Sequence, residues 1–288
     1  MADGVLRLHR PEIAIVVPSV RASVERLIAD LEKQTLRAPV EVVKDVRPNG
    51  RARNEGMRRQ PAATTFVFID DDARLPDPHA LERMLAPLDR DPGLAVSGAA
   101  RVLPAEATAF ERRVAREVPR VVNETTEVDE ESNPSVSGYG FSSVTTTCCA
   151  IRREWLEKVG GFREDLERGV DTELFWRLRK AGARFVVAAG AKVEHPAPRD
   201  LRSLLAAWEE KGFAHAREAF LNPERRIGPS LGSRPRALAY LAARALYLPA
   251  NMIVPWSRAH PRVEIDVKPL KALASFAAAV GYVRGSLA

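Results

Sequence analysis

Phe66-Val67-Phe68-Ile69-Asp70-Asp71-Asp72 runs four apolar residues straight into three carboxylates. The apolar run reads as a buried strand, so the acids fall where that strand ends. Three adjacent carboxylates repel one another unless something positive sits between them. A hard divalent cation with oxygen ligands, Mg²⁺ or Mn²⁺, is the usual answer, and such a cation also holds phosphates. In open α/β sheets, ligands bind beyond the carboxyl ends of the strands, where this cluster falls. Taken alone, the triplet favours a solvated acidic turn, so its surroundings must decide.

Three further constellations fall at strand or helix ends. Pro18-Ser19 and Asp45 follow the first two apolar runs, and an Asp so placed can accept hydrogen bonds from a base or ribose. Gly50-Arg51-Ala52-Arg53-Asn54-Glu55-Gly56 reads as a loop entering a helix, where Arg51, Arg53 and Asn54 would make an anion site. Gly169-Val170-Asp171-Thr172-Glu173-Leu174 opens another helix. There Asp171 can cap, and Glu173 can pair with Arg177 at i,i+4. Each has a plain structural reading: a turn-forming Asp, a solvated basic turn, a capping Asp beside an ion pair.

The elements that must position these groups follow from periodicity. Strands are expected at Ile13–Val17, Val40–Asp45, Phe66–Ile69, Leu94–Gly98, Val144–Ile151 and Arg184–Ala189. Helices are expected at Val24–Gln34, Ala52–Arg59, Pro78–Leu88, Arg153–Val159 and Asp171–Ala181, with Pro48-Asn49-Gly50 a turn. Strands alternating with helices over short links predict an α/β fold, a doubly wound, mostly parallel sheet. Asn123–Ser143 is polar and acidic and reads as a mobile connection or lid.

The 288 residues carry a net charge of +6. From Ala197 to Ala288 there are 14 Lys and Arg against 7 Asp and Glu, whereas Met1–Pro196 holds 30 against 31. The basicity therefore belongs to the last third, where it is interleaved with Leu, Ala, Tyr and Trp. That pattern favours helices at an anionic membrane surface over a nucleic-acid arm, and nucleic acid is not an expected partner. Ala237–Trp256 contains Arg244, Pro249 and Asn251, which argue against a simple membrane span. It and Leu270–Val283 read either as interfacial helices or as helices packed on the sheet or on a second subunit of a homodimer. Cys148 and Cys149 are adjacent and too few for a disulfide framework or a zinc site, which suits a reducing cytoplasm and a packing role. The first eleven residues do not read as a signal peptide.

Taken in order, these pieces resemble the glycosyltransferases of family 2, with the GT-A fold. Ile15-Val16-Val17-Pro18, the Asp45 strand end, Ala52-Arg53-Asn54-Glu55-Gly56 and Asp70-Asp71-Asp72 match the family's sequence of motifs. So do Arg152-Arg153 through Val159-Gly160-Gly161-Phe162, the Asp171-Thr172-Glu173-Leu174 helix with Arg177-Leu178 and Ala181-Gly182, and His195. The likeness covers residues 1–200, expected as the catalytic domain, with 201–288 a helical C-terminal extension for membrane-surface or oligomer contact. Two departures stand out. Asp45-Val46-Arg47-Pro48 replaces a strand end of the type Asp-Asp-Gly-Ser, and Val170 replaces the Glu of a Glu-Asp pair.

The resemblance implies inverting, non-processive transfer of a sugar from a UDP-, GDP- or dTDP-linked donor to a hydroxyl on a saccharide, a lipid-linked acceptor or a small molecule. It implies Asp171 as catalytic base, and Asp72, Asp70 and His195 as the residues that hold Mg²⁺ or Mn²⁺. Pro18, Ser19, Asp45, Arg51, Arg53, Asn54, Asp70 and Asp71 would line the donor site, with Asp71 the most tolerant of the acids. Cell-envelope or other glycoconjugate synthesis, on the inner face of the cell membrane, is the expected setting. Two alternatives stand beside it. One is a degenerate family member acting as a sugar-binding scaffold. The other is a sugar nucleotidyltransferase, which the lack of a Gly-rich loop after Val17 disfavours.

Overall fold

Ile13–Ser19 is buried at all seven positions, as a run of β-branched and small residues must be when both faces of a sheet are covered. It is strand β2 of a computed structural model that describes residues 8–20, 24–119, 121–122, 127–131, 144–225, 228–254 and 266–288. Leu8–His9 (β1) and Leu36–Arg37 (β3) form a two-residue parallel pair. The main sheet has seven strands in the order β4-β2-β5-β8-β6-β9-β7. The others are Val40–Lys44 (β4), Thr65–Ile69 (β5), Leu94–Val102 (β6), Glu130–Glu131 (β7), Cys148–Arg152 (β8) and Arg184–Glu194 (β9). β2 runs parallel to β4 and to β5, and β6 runs parallel to β9. β8 lies antiparallel between β5 and β6, so the sheet is mixed rather than purely doubly wound.

The helices of this part are Glu25–Leu31 (α1), Asn49–Arg59 (α2), Ala80–Arg90 (α3), Arg153–Val159 (α5) and Val170–Lys180 (α6). Three details depart from the periodicity. Pro48-Asn49-Gly50 is not a separate turn, because α2 already begins at Asn49. Gly50 is needed there: a Cβ would lie 2.0 Å from the carbonyl oxygen of Arg163. β9 continues through Gly190 at φ +66° to Glu194, five residues past the expected end at Ala189. Most of the expected connection at Asn123–Ser143 lies outside the described residues, but Glu130–Glu131 within it pairs with β9. Two exposed glutamates carry no apolar alternation, so that edge strand leaves no sequence signal.

The chain divides into two compact units: Met1–Pro104 with Val122–Pro196, and Ala105–Val121 with Ala197–Ala288. The second is helical. It comprises Ala109–Glu117 (α4), Leu201–Leu221 (α7), Arg234–Leu246 (α8), Leu248–Met252 (α9) and Pro269–Leu287 (α10), with short pairs Ile253–Val254 (β10) and Asp266–Val267 (β11). Small residues let α7 and α10 approach closely. A Cβ on Gly212 would meet the Ala278 carbonyl oxygen at 1.9 Å, and one on Gly281 the Glu209 carbonyl oxygen at 1.8 Å. α4 joins this unit through Glu117, whose carboxylate accepts the Leu270 N–H at 2.9 Å. The expected segment at Ala237–Trp256 therefore breaks into α8, α9 and β10, and residues 255–265 lie outside the described ones.

One buried carboxylate fixes the chain that follows the acidic triplet. Asp30, 2 % exposed, accepts from Arg74 Nε at 2.5 Å, Arg74 Nη2 at 3.1 Å and the Leu75 N–H at 3.1 Å. Gln34, one turn on, donates to the carbonyls of Leu75 and Asp77 and accepts the Leu81 N–H. Burial raises the Asp30 carboxyl, but the Arg74 and Leu75 hydrogen bonds outweigh it and hold the group below its usual 3.8. A carboxylate whose value is depressed on folding contributes stability above 3.8, and that stability is lost as pH falls through the lower folded value. Asp30→Asn should therefore lose about 2 kcal/mol at neutral pH, a figure below that for fully buried pairs because Arg74 is partly exposed. Denaturant unfolding across pH should show the gap to wild type closing below the usual carboxylate range.

Candidate active site

The carboxyl ends of β2, β4 and β5 bring the predicted donor residues to one sheet edge. Pro18 is buried within β2 opposite Val43, and Ser19 follows it. The Ser19 hydroxyl donates to Asp71 Oδ2 at 3.0 Å, and its carbonyl accepts the Asp45 N–H at 2.9 Å. Asp45 turns the chain at φ +58°, a conformation that Asp tolerates better than most residues. At the end of β5 the Asp70 N–H donates to the carbonyl of Thr147, just before β8.

Arg53 is the most enclosed charge at this edge. Its residue is 2 % exposed, its Nη2 donates to Asp70 Oδ1 at 2.9 Å, and its guanidinium lies 5.4 Å from the Phe162 ring centroid. Its Nε is buried without a hydrogen-bond partner. The neighbouring Asn54 does something else. Its Nδ2 donates to the Phe162 carbonyl and to Glu164 Oε1, both at 2.9 Å, and its Oδ1 accepts the Phe162 N–H at 3.0 Å. The amide expected in the donor site is thus engaged in holding the loop that supplies Phe162. Arg51, on the first turn of α2, is exposed.

Asp72 meets His195 across a backbone bridge. Arg74 and Glu194 exchange both N–H to carbonyl hydrogen bonds at 2.9 Å, and the His195 N–H donates to the Val102 carbonyl at 3.0 Å. These bonds bring His195 Nε2 to 3.3 Å from Asp72 Oδ1. Adjacent donors around an octahedral Mg²⁺ or Mn²⁺ lie about 3 Å apart, so this oxygen and nitrogen suit two positions on one hard cation. Among the described residues, no group of three or more His, Cys, Asp or Glu side chains forms a metal cluster. Two donors alone fit a cation only if it takes its remaining ligands from elsewhere.

Asp171 arrives from the other half of the sheet. Gly169 at φ +75° turns the chain into α6, and Asp171 sits in the first turn, its Oδ1 accepting the Thr172 N–H at 2.8 Å. The helix is locked from behind. Glu173, fully buried, takes Nε and Nη2 of Arg177 at 2.8 and 2.7 Å, and Arg177 also donates to the carbonyls of Val159 and Gly161. Val170 is 4 % exposed and faces the core, whereas Asp171 remains half-buried.

The charges act on one another. Burial pushes the Asp70 carboxyl above its usual range; Arg53 and His195 draw it back, while Asp72 and Asp171 raise it further. Burial also pushes up both thiols beneath this edge, Cys148 to about 12 and Cys149 well above its usual value, which suits packing rather than nucleophilic attack.

One charge here was not anticipated. Arg101, at the end of β6, has a buried Nε with no hydrogen-bond partner. Burial draws its guanidinium below the usual value, and Asp171 and Asp70 oppose that shift. The signal in the sequence is an arginine closing a strand whose preceding seven residues are all buried.

Comparison with solved structures returns a mannosyltransferase from Pyrobaculum calidifontis, in complex with GDP-mannose and Mn²⁺, at TM-score 0.57 and 16 % identity, covering 96 % of this chain and 87 % of that one. It also returns residues 1–349 of TarS from S. aureus in complex with UDP-GlcNAc, at TM-score 0.48 and 14 % identity, covering 83 % and 81 %. No curated protein matches. The first likeness establishes the architecture: a mixed sheet flanked by helices, with helices at the C-terminus. Residues 3–210 match the family described as "Glycosyltransferase like family 2". On that match, spanning more than half its length, the chain belongs to the family-2-like glycosyltransferases.

Proposed function

We propose that this protein is a metal-dependent, inverting glycosyltransferase that moves a sugar from a nucleoside-diphosphate donor to an acceptor hydroxyl. The observation that carries the reading is the gathering of Asp70, Asp72, His195 and Asp171 within electrostatic reach of one another, at a sheet edge floored by buried Arg53.

In this reading Asp72 and His195, with Asp70 beside them, would hold Mg²⁺ or Mn²⁺, which would supply positive charge against the departing diphosphate. Ser19 and Asp45 border the nucleoside, and Arg53 donates to Asp70 Oδ1 and draws it towards the ionised form. Asp171 takes the proton of the acceptor hydroxyl. The acceptor oxygen forms its bond to the anomeric carbon as the bond from that carbon to the diphosphate oxygen breaks, and the nucleoside diphosphate leaves with the electron pair. Attack opposite the leaving group inverts the anomeric centre. Asp171 stands half-buried in the first turn of α6, where a carboxylate can act as a base. Arg101, whose buried Nε has no hydrogen-bond partner, supplies an N–H for an anionic part of donor or acceptor.

A panel of UDP-, GDP- and dTDP-sugars screened by thermal shift, with and without Mn²⁺, identifies the donor. With that donor, Asp171→Asn should lower turnover by roughly 10²-fold or more while donor affinity stays unchanged. Turnover near wild type would remove Asp171 from the role of base. Asp72→Ala should abolish the Mn²⁺-dependent part of donor binding in calorimetry, and unchanged affinity with the metal present would refute its place as a ligand. Arg101→Met should leave unfolding stability equal to wild type or raise it by about 1 kcal/mol, because it removes a buried, unpaired donor. Transfer should nonetheless fall, which separates a functional charge from a structural one.

A further inference from the structure

Helix α8, Arg234–Leu246, has two unlike faces. The inner one carries Ala237, Tyr240, Leu241 and Arg244. Ala237 is buried, Tyr240 and Leu241 pack against the cluster of Ala216, Leu231, Tyr282 and Val283, and Arg244 donates to Ser275. The outer face carries Leu238, Ala239, Ala242, Ala243, Ala245 and Leu246, all exposed, with Leu238 at 69 % and Leu246 at 83 %. No charged or polar side chain interrupts it. The helix thus turns Arg244 inwards among apolar neighbours while it leaves an apolar stripe exposed.

The charge around this stripe is one-sided. Arg234 and Arg236 are exposed at the start of α8. Along the chain from Arg225 to Val263 the sequence holds seven Arg and no Lys, Asp or Glu, of which Arg234 and Arg236 are the exposed ones on α8. An apolar strip with exposed arginines at its start matches a surface that is apolar below and anionic above. It does not match a second copy of itself, which would set like charges face to face. At 13 residues α8 is about 20 Å long, short of the ~30 Å hydrocarbon core. Among the described residues, no helix is long and apolar enough to cross a membrane.

We infer that the outer face of α8 docks on an anionic lipid bilayer. Leu238 and Leu246 enter the headgroup–acyl boundary, and Arg234 and Arg236 meet lipid phosphates. The helix lies in the plane of the surface and does not span it. This inference stands independently of the transfer reaction, since it uses no residue of the candidate active site.

The test is flotation of the full chain with phosphatidylcholine vesicles, with and without phosphatidylglycerol, in low and high salt. Wild type should float with the anionic vesicles and be released by salt. Leu238→Glu with Leu246→Glu should lower the partition coefficient about tenfold or more without altering circular dichroism, because both side chains are already exposed. Arg234→Gln with Arg236→Gln should weaken binding about fivefold per charge and leave less for salt to release. Failure of wild type to float with anionic vesicles overturns the inference. So does equal flotation of wild type and the leucine variant. A leucine variant that floats normally but sediments as a smaller species would assign the face to self-association instead, and would equally overturn it.

Discussion

The site depends on a buried arginine that must be answered. Arg53 is almost entirely removed from water, and a guanidinium in that position is tolerable only if a carboxylate meets it. Asp70 does so at 2.9 Å, and the quadrupole of the Phe162 ring adds a second favourable surface. The demand runs both ways. Asp70 is itself pushed towards neutrality by burial and by Asp72 and Asp171, and Arg53 is the largest influence that returns it towards the ionised form. Each group makes the other's charge affordable, and the acidic cluster can persist only while Arg53 stays in place.

That pairing is held by elements that do not touch the chemistry. Asn54 closes around the backbone of Phe162, fixing the ring that faces Arg53. Arg177 bonds to the carbonyls of Val159 and Gly161 on one side and to buried Glu173 on the other, so the same loop also anchors the helix bearing Asp171. Asp30 holds Arg74, and the Arg74–Glu194 bridge sets the distance between Asp72 and His195. Three separate anchors therefore act on the positions of three acids. Such division suits a site in which small displacements matter more than total stability.

Much of this was legible in the sequence, and the gaps have physical causes. Ile13–Val17 and Phe66–Ile69 announce buried strands because both faces are covered, so every position is apolar. Asp70 and Asp72 could be named because a buried apolar run ends on them, whereas His195 and the role expected of Asp171 followed from the likeness to family 2. Asn54 was expected in the donor site; its partners in the fold lie 108 and 110 residues away, and nothing local distinguishes an amide that binds a ligand from one that binds backbone. α7 gave no clear pattern because much of its buried face is Gly and Ala, and close approach to α10 replaces the large apolar stripe that periodicity detects. Arg101 escaped because it belongs to no motif. Its isolation is a property of the folded environment.

Arg53 and Arg101 make the sharpest contrast in the structure. Both are drawn out of water near the same carboxylates, and both have a buried Nε without a partner. Arg53 nevertheless has its ion pair, and its role within the folded chain is complete. For Arg101 the balance is different: desolvation weakens the charge, and Asp171 and Asp70 act on it through space. A fold selected for stability alone would replace such a residue with an apolar one of similar volume. Its place at the edge where acids gather sets one buried, unpartnered Nε beside charges that already act on it. Asp72 and His195 stand 3.3 Å apart at the same edge. The candidate site is recognisable by the charges it gathers there, several of them set against burial or against one another.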